Sequence, residues 1–347
     1  MQWSFAAAIL VLQGLMLHGQ ASNAASTATK DQTAPTVAAA QQLVQRGELQ
    51  DAAAMLEQLD KEQPPAKGVA HELGIVYYRS GKLLKAEAKF AQASQEDPAD
   101  VESIQMRGLT LYRLGRPAAA IPYLEHVRQW NPNANADANY VLGLCYVNSQ
   151  RYSEARAAFA AQYGVAAESE SAYLVLARML LQANLPELAL VNAQKALEIA
   201  PKLPLAHFVQ GEVYLYKSEV DRARDEFEKE RSINPGYAPT YDRLGDVYTR
   251  TEKYQEAQES LMRAIALDTS STGPFIQMGK VLLRRNDAQT ALLYLQHAEK
   301  MDPSNFITHT LLSQAYRALG REQEAQAEMD TASKIHAAST LKIPPAE

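Results

Sequence analysis

With a single cysteine, Cys145, this chain of 347 residues has no intramolecular disulfide, no CxxC redox pair and no Cys-rich zinc site. Cys145 falls between Leu144 and Tyr146 in an apolar helical pattern, where it reads as a small packing residue. Histidine is sparse as well: there are seven, and none lies three or four residues from another, so no helix face carries a His pair for a metal. Positive charge is short. A net charge of −6 and a pI near 5.7, with no basic block, disfavour a phosphate-facing nucleic-acid surface. No GxGxxG, GxxxxGK, GxSxG, HExxH or EF-hand loop occurs. Carboxylates are plentiful, but pairs such as Asp242 and Asp246 are expected on solvated helix faces. With no catalytic pocket implied, acid–base work on a glycan has no support.

What the chain has is a period. The stretch 67–100, KGVAHELGIVYYRSGKLLKAEAKFAQASQEDPAD, holds two short helical patterns separated by Gly81 and stopped at Pro98. Each has one apolar stripe, which a lone helical hairpin cannot bury. Units of 34 residues starting at Thr33, Lys67, Val101, Ala136, Glu170, Pro204, Ala238, Thr272 and Phe306 repeat the pattern, with Asn135 as an extra residue before the fourth. The twentieth position is alanine in every unit, from Ala52 and Ala86 through to Ala325, although alanine is only about one residue in six. The eighth position is always small (Ala40, Gly74, Gly108, Gly143, Ala177, Gly211, Gly245, Gly279, Ser313). The eleventh is always large, Leu or Tyr. Large residues also recur at the twenty-fourth, among them Phe90, Phe159 and Phe227, and Pro64, Pro98, Pro132, Pro201, Pro235 and Pro303 close their units. Small positions let the two helices approach, and large ones fill the space beside the contact.

This pattern resembles the tetratricopeptide repeat family over residues 33–339. The resemblance implies an all-α, right-handed α-solenoid of about nine antiparallel helix hairpins, forming one elongated domain. A pentatricopeptide array, which binds RNA, prefers a 35-residue period, and the eight intervals here hold one insertion in total. Repeat one is the weakest at its aromatic positions and reads as an N-terminal cap. The junction of repeats four and five loosens, with Ala167 in place of proline and Gly164 nearby; a degenerate turn is the favoured reading and a hinge the alternative. In repeat nine a narrow stripe of Ala325, Met329, Ala332 and Ile335 suits a helix that ends the array in water.

The flanks carry a separate signal. Phe5–Leu17 is an apolar run of 13 residues, short of the ~20 needed to span a bilayer and suited to a signal-peptide core, with cleavage expected after Ala24. The region before it, MQWS, lacks the usual Lys or Arg, so an uncleaved N-terminal anchor is the alternative. No cysteine follows the core, which argues against a lipoprotein. Residues 25–32 read as a flexible lead-in and 340–347 as a disordered tail. Export is therefore expected, to the periplasm or beyond, and the chain resembles bacterial envelope proteins built of this repeat alone.

With no room for a catalytic domain outside the repeats, function is expected to come from surface, without an enzyme activity, metal or cofactor. The resemblance implies that first helices line a concave groove with positions two, five, nine, twelve and thirteen. Repeats two to four place His71, Ile75, Tyr78, Leu109, Tyr112, Tyr140 and Leu144 there, an aromatic and apolar wall. Repeats five to nine place Arg178, Glu212, Tyr216, Asp242, Asp246, Arg250, Lys280, Arg284, Gln314 and Arg317, a charged wall. A protein or extended peptide is the expected partner. A carbohydrate stacked on Tyr78, Tyr112 and Tyr140 is the alternative, decided by whether those rings are exposed together. The family's clamp for a peptide carboxylate uses Lys at position five and Asn at position nine, and neither occurs here. His207 and His309, both at position four, read as satisfied packing histidines.

Overall fold

The computed structural model describes residues 35–130 and 136–340. The expected leader (1–24), lead-in (25–32), the Pro132 terminator and all of the expected tail except Thr340 lie outside them. Eighteen helices follow one another in hairpin pairs, and no strand occurs among the described residues. The first three pairs are α1 (Val37–Arg46) with α2 (Leu49–Leu59), α3 (Val69–Arg79) with α4 (Leu83–Glu96), and α5 (Val101–Arg113) with α6 (Pro117–Trp130). Then come α7 (Ala136–Asn148) with α8 (Tyr152–Gln162), α9 (Glu170–Gln182) with α10 (Pro186–Ile199), and α11 (Ala206–Tyr216) with α12 (Val220–Ile233). The last are α13 (Ala238–Arg250) with α14 (Tyr254–Leu267), α15 (Gly273–Arg284) with α16 (Ala288–Met301), and α17 (Phe306–Ala318) with α18 (Glu322–Thr340). Helices α4, α10, α12 and α16 each end two residues before a terminating proline, which cannot continue the ladder. No helix among the described residues is long and apolar enough to cross a membrane.

The hairpin is locked by position eight against position twenty-four. A Cβ on Gly74 would lie 2.5 Å from the Phe90 ring, on Gly143 2.5 Å from Phe159, on Gly211 2.4 Å from Phe227, and on Gly245 2.5 Å from Leu261. The small residue is thus a socket for the large one, and closer helix approach follows from that. Repeat five makes the reciprocal choice, with Ala177 and Ala193 both fully buried. In repeat nine Ser313 donates its hydroxyl to the Ala325 carbonyl at 2.7 Å. The alanines of position twenty are fully buried throughout, Cys145 among the core residues with them, and burial pushes its thiol up to about 12.

The turn inside each hairpin is also repeated. Position fifteen is left-handed every time, as Gly47, Gly81, Gly115 and Gly320 but also as Gln150, Asn184, Ser218, Glu252 and Asn286. The next N–H returns to the position-eleven carbonyl, for example Lys82 to Tyr77 at 2.9 Å and Arg151 to Tyr146 at 2.8 Å, the Schellman closure that satisfies orphan helix carbonyls.

Between repeats, the position-eleven tyrosine reaches back to position twenty-five. Tyr77 donates to Glu57 at 2.6 Å, Tyr248 to Glu228 at 2.6 Å, and Tyr146 to Glu125. The junction after α8 is braced rather than loose. Arg156 donates to the Ala167 carbonyl at 2.8 Å and pairs with Glu168, which accepts from Tyr173 at 2.7 Å. That supports the degenerate turn over the hinge. Odd-numbered helices pack side by side along much of the array (α13 on α15, α15 on α17), whereas even-numbered helices pack on odd-numbered neighbours. The crowded side of a curved array is its inner side, so the odd-numbered helices form the concave wall.

Candidate partner-binding groove

The N-terminal wall is apolar but not bare. Tyr78, Tyr112 and Tyr140 are all half-buried. The Arg113 guanidinium lies 4.5 Å from the Tyr78 ring centroid. Tyr112 and Tyr140 pack against the buried cluster around Leu142 and Phe159, and burial holds the Tyr112 phenol above its ordinary range. Tyr140 meets Phe159 at 5.9 Å and points its hydroxyl at Met179 Sδ, 3.7 Å away. The three rings are thus each half-buried against other side chains rather than exposed together, which weakens the carbohydrate alternative. His71 does not stand free either. Its Nδ1 lies 3.0 Å from Asp100 and 2.9 Å from Ser103, tying α3 to the start of α5.

The charged wall concentrates in repeats five to eight. Arg243 forks onto Glu212, with Nε 2.6 Å and Nη2 3.4 Å from its two carboxylate oxygens. Arg250 pairs with Asp246 at 2.8 Å, one turn along the same helix. Asp242 sits between these pairs. Its Oδ1 accepts from Gln277 at 2.9 Å, and no ion pair forms to it among the described residues. Burial raises its pKa; Arg243 draws it down, and the neighbouring Asp246 and Glu212 push it up again. Asp242 is thus half-buried in the groove, and so is Asp246, which corrects the expectation that the two lie on a solvated face. The charge is held where water is scarce because α15 of the next repeat closes over it. Arg178 is half-buried within electrostatic reach of Tyr163 and Tyr237, whose phenols burial raises. Arg250, Lys280, Arg284 and Arg317 are exposed. Tyr216, with 57% of its surface accessible, is the most open aromatic of the wall.

Four residues of this region escaped the sequence reading. Arg243 occupies position six, Tyr237 and Tyr163 lie in the connections before α13 and α9, and Gln277 comes from the next repeat. The adjacent pair Asp242–Arg243 was a signal for the first. The connecting tyrosines gave none, since the repeat register assigns no groove role to them.

Family models of the tetratricopeptide repeat match residues 37–101, 111–179, 238–271 and 276–337. This chain belongs to the tetratricopeptide repeat family. It is 23% identical over 283 residues to anaphase-promoting complex subunit 3 of Schizosaccharomyces pombe, covering 82% of this chain and 42% of the relative. It therefore spans less than half the length of that protein. Among solved structures it is similar to YrrB, described as a TPR protein with an unusual peptide-binding site, at 26% identity over 50% of this chain and 90% of that one, TM-score 0.44. It is similar also to MamA from Desulfovibrio magneticus RS-1, at 16% identity over 49% and 96% of the two chains, TM-score 0.45. The fold is an all-α repeat solenoid, a scaffold suited to protein–protein interaction.

Proposed function

We propose that the protein is an exported, non-catalytic scaffold of the cell envelope that holds an extended segment of a partner protein along its concave wall. The observation that carries this is Asp242, a desolvated carboxylate in the groove with no cation bonded to it. A carboxylate in that setting is costly unless something pairs with it, and a Lys or Arg of a partner supplies the missing charge. Apolar side chains of the same segment would lie against Ile75, Tyr78, Leu109, Tyr112, Tyr140 and Leu144. Its acidic groups would face Lys280, Arg284 and Arg317. Export rests on the apolar run Phe5–Leu17 alone, and mass spectrometry of the protein from its native cell tests it, with a mature N-terminus at Ala25 expected.

Photo-crosslinking tests the groove. A crosslinking residue at Tyr112 or Asp246 of the full chain is expected to trap one and the same polypeptide from a membrane-and-periplasm extract. The same residue at Leu84 or Leu293, exposed on second helices, is not. Asp242→Ala with Arg250→Ala, Lys280→Ala and Arg284→Ala is expected to abolish the adduct while helicity is unchanged. An adduct of equal yield from the second helices would sink the groove reading.

A further inference from the structure

We infer that Glu299, His309 and Glu328 form a binding site for one divalent transition-metal ion, Zn²⁺ by preference, that staples the last hairpin to the repeat before it. The three residues come from α16, α17 and α18, and a ligand atom of each lies within 4.8 Å of the others. His309 is almost fully buried, while the two glutamates are partly exposed and leave a path from solvent.

The ring orientation is the first argument. His309 Nε2 lies 3.0 Å from the Pro303 carbonyl, so Nε2 carries a hydrogen and donates it. Tyr241, at the same repeat position, donates its hydroxyl to the Pro235 carbonyl at 3.1 Å in the same way. Nδ1 is then turned to Glu328, 2.7 Å away. A backbone carbonyl on one ring nitrogen with the other facing carboxylates is how metal-bound histidines are held. At 2.7 Å Nδ1 and the Glu328 oxygen share a proton, and a divalent ion is the other cation that can hold the two groups together.

The second argument is an internal control. Repeat six carries the same pair, His207 with Glu226 at 2.6 Å, and there Lys229 neutralises Glu226 at 2.8 Å. In repeat nine the position of Lys229 is Thr331, which turns back to its own helix and donates to the Ala327 carbonyl at 2.9 Å. The position of Leu197, which the repeat before the sixth packs against Ala206 and Val209, is taken before the ninth by Glu299. Repeat nine has thus lost the cation, and in place of the buried Glu230 of repeat six, whose carboxylate accepts from the Leu205 and Phe208 amides and whose counterpart here is Ala332, its second acid is Glu299, which faces the histidine. Even a protonated His309 leaves the cluster one positive charge short. Asp302 is a further acid within electrostatic reach, although its carboxylate accepts from Ser304 at 3.0 and 2.7 Å. One imidazole and two carboxylates suit Zn²⁺, with water completing a tetrahedron, and Mn²⁺ less tightly.

Calorimetric titration of the untagged, chelator-treated full chain with Zn²⁺ tests the site, alongside hydrogen exchange of α18. One equivalent is expected, with slower exchange in α18. Glu299→Gln and Glu328→Gln, conservative changes at partly exposed positions, are expected to weaken binding at least tenfold. Glu226→Gln is expected to leave it unchanged. No stoichiometric binding would overturn the inference, since His309 would then hold only a proton. Binding that survives Glu299→Gln would overturn it too, by placing the ion elsewhere.

Discussion

Gly211 and Phe227 offer the sharpest test of the lock inside each hairpin. A Cβ on Gly211 would stand 2.4 Å from Phe227 Cε1 and 2.7 Å from Cδ1 and Cζ, and the ring is fully buried, with no space to retreat. Gly211→Ala therefore forces α11 and α12 apart, costing about 1–3 kcal/mol for an overpacked core, offset by about 1 kcal/mol of helix propensity. Phe227→Ala removes the ring and costs about 3–5 kcal/mol. Together the two changes recreate the alanine pair that repeat five already holds as Ala177 and Ala193. In that background the new methyl enters the vacated space instead of a ring. Its effect is expected to change sign, stabilising the Phe227→Ala protein by about 1 kcal/mol through propensity and cavity filling. The coupling in the double-mutant cycle is then about 1–3 kcal/mol. Native-state hydrogen exchange of amides in α11 and α12 reads it locally, which is preferable because a repeat array need not unfold in one step. Additivity within about 0.5 kcal/mol would refute the lock.

Three further tests follow from the repeat positions and the groove. Glu252, non-glycine at a left-handed φ of 59°, is expected to gain about 1 kcal/mol on Glu252→Gly because the αL penalty disappears, while Gly81→Ala loses a similar amount; urea midpoints compare them. Tyr248→Phe leaves Glu228 without its 2.6 Å donor across the repeat boundary and is expected to cost about 1–2 kcal/mol, seen as faster exchange at the α12–α13 junction. Asp242→Asn is expected to raise the melting temperature at neutral pH while reducing partner capture. Its folded-state pKa lies above the ordinary 3.8, so folding favours the protonated acid. The native protein accordingly gains stability from this group as pH falls from neutral through the raised value towards 3.8, and the Asn variant lacks that gain. A melting temperature lowered by Asp242→Asn at pH 7 would contradict the desolvation argument.

The repeat was legible because its constraints recur at fixed register. Position eight and position twenty-four could be read from composition, since Gly74, Gly143 and Gly211 each face a phenylalanine sixteen residues on. Position fifteen was hidden because four glycines share it with Gln150, Asn184, Ser218, Glu252 and Asn286. The Schellman closure fixes its conformation whether or not the residue prefers it. The tyrosine–glutamate rungs were hidden for another reason: their partners belong to different units, Tyr77 to one and Glu57 to the one before. Periodicity within a unit says nothing of pairs between units.

The groove was less legible, and the cause is the same geometry. A helical wheel places Asp242 on an inner face but cannot tell how closely α15 covers it, and that coverage is what turns a solvated acid into a desolvated one. The positions that stack repeats admit few residue types, whereas positions two, five, nine, twelve and thirteen of the odd-numbered helices vary freely along this chain. Variation there is not neutral. Glu212, Asp242 and Asp246 bring three half-buried acids together with Arg243 and the exposed Arg250, and Asp242, left without an ion pair among the described residues, is held there at a cost in stability. An apolar inner wall would fold more firmly. On the proposed function, a partner segment bearing a basic residue would offset that cost on binding, and selectivity for one charge pattern over others would follow.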